Sequence, residues 1–73
     1  MNSKTDEKVA KIAAKLRKIR ELKNLTREQF CERLGENVEY WGKIERGEQT
    51  ISLGKLLQVC EVYHIRIEEI ITL

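Results

Sequence analysis

At 73 residues the chain has room for one domain around one small core, which excludes a second folding unit and leaves little volume for a substrate pocket. A charged fraction of 36% beside a hydrophobic fraction of 41%, with no proline and 4 glycines, favours an all-α fold over a turn-rich sandwich. The net charge of +2 is unevenly placed. Residues 1–24 hold eight basic against three acidic side chains, residues 25–47 four against five, and residues 48–73 two against four, so the positive field belongs to the first third of the chain.

Val9, Ile12, Leu16 and Ile19 recur at spacings of three, four and three, with Ala13 alongside and lysines on other faces, which predicts one amphipathic helix. Ser3 or Thr5 is the expected cap, and Asn24 the expected left-handed stop. Thr26 followed by Gln29 fits a capping box, with Leu25 placed as a staple, so a second helix starts there and ends at Gly35 with Phe30, Cys31 and Leu34 inward. Asn37 caps a third helix whose inner face carries Trp41 and Ile44 and which ends near Gly47. Ser52 opens a fourth, where Leu53, Leu56, Leu57, Val59, Cys60 and Tyr63 are expected to make apolar contacts. Ile65 to Leu73 reads as a short fifth helix with Glu68 and Glu69 in its first turn. The prediction is a compact five-helix bundle.

Thr26 to Gly47 is thus two short helices joined at a glycine, the arrangement that sets its second helix into the major groove of DNA. Four segments agree with one family in order and spacing: L-R-K-I-R-E-L-K-N-L-T-R-E-Q-F at Leu16 to Phe30, L-G at Leu34-Gly35, K-I-E-R-G at Lys43 to Gly47, and S-L-G-K-L-L at Ser52 to Leu57. Over about Ile12 to Ile71 the chain resembles the lambda-repressor-like, or Cro/C1-type (XRE), helix-turn-helix domains. The resemblance implies a single domain over residues 12–73, with residues 1–11 extending the first helix. It implies that Arg20 pairs with Glu45, clamping the reading helix to the scaffold. It places Arg27, Asn37, Tyr40, Arg46 and Gln49 along the phosphate backbone and Val38, Glu39 and Lys43 at the base edges. Valine can meet a thymine methyl, glutamate can accept from cytosine N4, and lysine can donate to guanine O6 or N7.

This sequence departs from the family pattern at Glu36, Trp41, Gly42, Glu48 and Ile51. Glu36 and Glu48, with Glu39, bring negative charge near the presumed phosphate path. Gly42 either accommodates the neighbouring indole or brings the backbone close to DNA. One reading helix covers a half-site, so the expected active form is a homodimeric repressor on a pseudo-palindromic operator. Ile67, Ile70, Ile71 and Leu73 are its expected interface, unless they close the core of their own subunit; the turns before Ile12 are a second candidate. The rival reading keeps the fold as an antitoxin or adaptor that binds protein, with DNA affinity weakened or lost.

Other features take simpler readings. The lysines of the first helix suit a solvated face better than a nucleic-acid patch. Trp41 and Tyr63 suit the core, while Tyr40 is open between packing and a phosphate contact. His64 suits a helix end, and Cys31 and Cys60 suit buried free thiols. No glycine-rich phosphate loop, nucleophile with a histidine, or metal-spaced cluster occurs, so neither enzyme activity, a cofactor nor a metal is expected. No run approaches the ~18 apolar residues of a bilayer span, and Met1 to Lys4 opens no secretory signal. No membrane partner and a cytoplasmic location are expected.

Overall fold

Capping side chains set the helix starts. Thr26 Oγ1 accepts the Gln29 N–H at 3.1 Å while Gln29 Oε1 accepts the Thr26 N–H at 2.9 Å, which closes the capping box. Asn37 Oδ1 accepts the Tyr40 N–H at 3.0 Å, and Ser52 Oγ accepts the Lys55 N–H at 3.1 Å. The computed structural model describes residues 3–71, where these caps open α2 (Arg27–Leu34), α3 (Val38–Glu45) and α4 (Leu53–Tyr63) behind a longer α1 (Ser3–Leu22). Helix α1 is already running at Ser3, so Ser3 and Thr5 lie within it and not at its cap. Asn24 (φ 57°) and Gly35 (φ 70°) take the left-handed conformation that turns the chain out of α1 and α2.

Phe30 is the centre of the core. Its ring stacks on Tyr63 at 4.3 Å between centroids and meets Trp41 at 4.9 Å, tilted by 32°, and its carbonyl accepts the Tyr63 hydroxyl at 2.7 Å. Leu16, Leu34, Ile44, Leu56 and Val59 fill the space around these rings. Helix α3 packs on both α1 and α2, and α2 packs on α4, so the turn between α2 and α3 is held from two sides.

The structure also corrects two expectations in the C-terminal half of the chain. There are four α-helices among the described residues, and the fifth is a single 3₁₀ turn, Ile67–Glu69. His64 turns left-handed (φ 54°) and Arg66 is extended, with its N–H donating to Glu69 at 2.9 Å. Four β-branched isoleucines in this short stretch disfavour further helix, and one turn is enough to deliver Ile70 to the core. Leu53 and Leu57, expected inside, are 66% and 50% exposed. They lie at the flank of the stripe formed by Leu56, Val59 and Tyr63, and that stripe is the one buried in the core.

Ile70 is 2% exposed and closes its own chain's core; Ile67 and Ile71 are half-buried, and Leu73 lies outside the described residues. Cys31 is buried and Cys60 half-buried, both as free thiols. Burial pushes the Cys31 thiol up to about 11, which keeps it protonated and inert at neutral pH. Among the described residues no helix is long and apolar enough to cross a membrane.

Candidate nucleic-acid interface

The geometry of α3 is organised by one carboxylate at its last residue. Glu45 is 6% exposed and accepts four hydrogen bonds: from Arg20 Nε at 2.7 Å, Arg20 Nη2 at 3.1 Å, Arg27 Nε at 3.0 Å and Trp41 Nε1 at 2.6 Å. Arg20 also donates to the Leu25 carbonyl at 2.7 Å, so α1, the loop before α2, α2 and α3 meet at a single node. The predicted Arg20–Glu45 geometry is therefore part of a larger cluster. Trp41 stands four residues before Glu45 on the same helical face, a spacing that could have identified it as a donor.

Two guanidiniums share that carboxylate, so the cluster keeps one positive charge. Arg20 is enclosed, whereas the Arg27 side chain is 37% exposed at the first turn of α2, beside the positive end of the helix dipole. Arg27 is thus tied inward through Nε and presents the surplus charge outward. That arrangement suits a phosphate oxygen.

Burial alone would raise the Glu45 pKa, but the hydrogen bonds from Arg20, Arg27 and Trp41 overcome it and hold the carboxyl below its ordinary value of 4.5. Glu36 is held low in the same way, against its own burial, by the Asn37 N–H at 2.7 Å and Lys55 Nζ at 3.1 Å. In each case the unfolded chain takes up a proton more readily than the folded one. Their contribution to stability is therefore present above about pH 4.5 and lost as pH falls through the folded values. Thermal melts are expected to be level between pH 7 and about 5 and to drop below about 4.5, with a shallower drop in Glu45→Gln.

On the outward side of α3, Val38, Glu39 and Lys43 are exposed and side by side, and their side chains have no hydrogen-bond or ion-pair partner among the described residues. Asn37 spends its Oδ1 on the helix cap, and its side-chain Nδ2 has no partner among the described residues. Tyr40 is half-buried against the core, and its hydroxyl is without a partner among the described residues. Gln49 is exposed in the loop after α3, where its N–H bonds the Lys43 carbonyl at 3.3 Å. Arg46 is also exposed, but its Nε is paired with Glu48.

Two of the three acidic residues expected to oppose phosphate are neutralised inside the chain. Glu48 sits on Arg46, and Glu36 is tied to Lys55, which in turn reaches Gln58 at 2.8 Å. Gln58 donates to the Leu34 carbonyl at 2.9 Å, so this chain of contacts staples the turn between α2 and α3 onto α4. No local sequence signal announces the staple, because its partners lie on separate elements brought together by packing. Of the three, only Glu39 has no charged partner among the described residues.

Gly42 is covered by the Arg46 guanidinium and not by the indole: a Cβ there would stand 3.0 Å from Arg46 Nη1, the far end of a flexible side chain. Gly42→Ala is expected to raise stability by up to about 1 kcal/mol, since it removes the helix penalty of glycine and displaces only an exposed ion pair. A melting temperature several degrees higher checks this.

A helix held rigidly from behind, preceded by a capped helix and a tight turn and bare on its outer face, defines the helix-turn-helix class of module. A helix-turn-helix family model matches residues 16–70, and the chain belongs to the Cro/C1-type (XRE) family of DNA-binding regulator domains. Comparisons with curated proteins and with solved structures gave no significant match.

Proposed function

We propose that the chain binds double-stranded DNA in a sequence-specific way, as a homodimeric repressor on a pseudo-palindromic operator. The observation that carries this reading is the contrast across α3: its inner end is locked by the Glu45 node, while Val38, Glu39 and Lys43 are bare and preorganised outside. Inserted in the major groove, Val38 contacts a thymine methyl, Glu39 accepts from a cytosine N4 amino group, and Lys43 donates to guanine. Arg27, the Asn37 amide, the Tyr40 hydroxyl and Gln49 hold the backbone on either side, and Arg46 joins them when it leaves Glu48. Leu53 and Leu57, with the half-buried Ile67, offer apolar surface for two-fold pairing away from the groove beside α1.

Arg27→Ala tests the positioning role. Duplex affinity is expected to fall by a similar factor for every sequence, and the slope of log affinity against log salt to lessen by about 1. No binding of any duplex at low salt would overturn the reading. One observation favours the adaptor or antitoxin alternative in that case: Lys43 is the one unpaired cation of α3 among the described residues, and Glu39 opposes it.

A further inference from the structure

Lys4, Lys8, Lys11, Lys15 and Lys18 follow one another along α1 at spacings of four, three, four and three. With 3.6 residues per turn they fall within an arc of roughly 80° and form a stripe about 20 Å long. All five are exposed, and none is paired with a carboxylate among the described residues. Like charges three and four residues apart disfavour a helix, so the stripe weakens the helix that carries it. Four of the five precede the region matched by the family, and the groove they border is lined by no residue of α3 or of the Glu45 node.

Beside the stripe runs a groove of about 360 Å³ between α1 and the C-terminal segment, floored by Ile12, Ile70 and Ile71, with the lysines from Lys8 to Lys18 along its edge. An apolar floor beside a row of ammonium groups is poorly matched to a DNA backbone, which offers phosphate and sugar without large apolar knobs. A bilayer surface does not enter a concave groove. A helix with apolar anchors and an acidic flank satisfies both halves: its anchors fill the floor, and its carboxylates meet lysines whose mean spacing of about 3.5 keeps register along a partner helix.

We propose that this groove binds an acidic amphipathic helix of a partner protein, on a surface separate from α3. The proposal does not rest on the DNA reading and can fail or hold without it.

The test is a display library of helical peptides of about 14 residues, varied among Leu, Ile, Met and Phe at the anchors and among Glu, Asp, Gln, Ala and Lys on the flanks. Selection is against the wild-type chain, with the Lys11→Glu/Lys18→Glu variant as counter-target. That variant turns three repulsive pairs one helical turn apart, Lys8 with Lys11, Lys11 with Lys15 and Lys15 with Lys18, into attractive ones, against two new like-charge pairs with Glu7 and Glu21. It is expected to melt at or above the wild-type temperature, so lost binding cannot be lost folding. Enriched peptides are expected to carry acidic flanks, to bind with a micromolar Kd, to shift the Ile12, Ile70 and Ile71 methyl resonances, and to weaken at least about tenfold on the variant and in high salt. Enrichment without acidic bias or equal binding to the variant would overturn the proposal. So would a second copy of the chain seated on the same residues, or methyl shifts there produced instead by random duplex or by vesicles of anionic phospholipid.

Discussion

Replacing Glu45 with alanine is expected to destabilise the fold by about 3–5 kcal/mol, the cost typical of removing one partner from a buried, hydrogen-bonded charge cluster. Arg20 would be left enclosed with only the Leu25 carbonyl to accept from it, and the buried Trp41 indole N–H would lose its acceptor. In a domain of this size each kcal/mol is worth roughly 4–8 °C, so melting should fall by tens of degrees. Arg20→Ala should be milder, because Arg27 and Trp41 still satisfy part of the carboxylate. Glu45→Gln should lie between, since it keeps the shape and one acceptor oxygen but strands the positive charge. Calorimetry on the three variants checks the order; a Glu45→Ala protein melting within a few degrees of wild type would remove the node from its structural role.

The second large effect concerns recognition. Glu39, at the first turn of α3, is unpaired among the described residues, and a carboxylate can accept hydrogen bonds but donate none. Facing a base pair, it favours the cytosine N4 amino group and repels the acceptors of guanine and thymine. Glu39→Gln restores a donor and removes a charge that opposes phosphate. Two results are expected together: higher affinity for duplexes in general, and a preference that moves at one position per half-site from cytosine toward adenine. A side-chain contact of this kind discriminates by about 1–3 kcal/mol, or roughly 5- to 150-fold between the two sites. Competition binding with paired duplexes reads it directly. Unchanged preference would take Glu39 out of the base-reading set.

Much of this fold was legible because its determinants are local. Thr26 with Gln29, Asn37, Ser52, Asn24 and Gly35 each act within a few residues, and each ends or starts a helix where such chemistry demands. The C-terminal segment was harder, since a run of isoleucines states that something is buried without stating in what conformation. Leu53 and Leu57 share the apolar pattern of α4, but one small core covers only one stripe of that helix. At the site, the outward side of α3 followed from the position of Trp41 and Ile44 inside. The pairing of Glu36 with Lys55 and of Arg27 with Glu45 did not, because both join segments whose approach is set by packing and not by spacing along the chain. Those two pairs change the electrostatic reading: the charge of Glu36 is balanced by Lys55, and Arg27 carries the surplus charge of the node on Glu45.

The central claim is that α3 reads duplex DNA. Selection of bound sequences from a random duplex pool at near-physiological salt tests it most directly. The account predicts a pseudo-palindromic motif with half-sites about one helical turn apart and a cytosine that Glu39→Gln replaces. No enriched sequence at any salt concentration would contradict it.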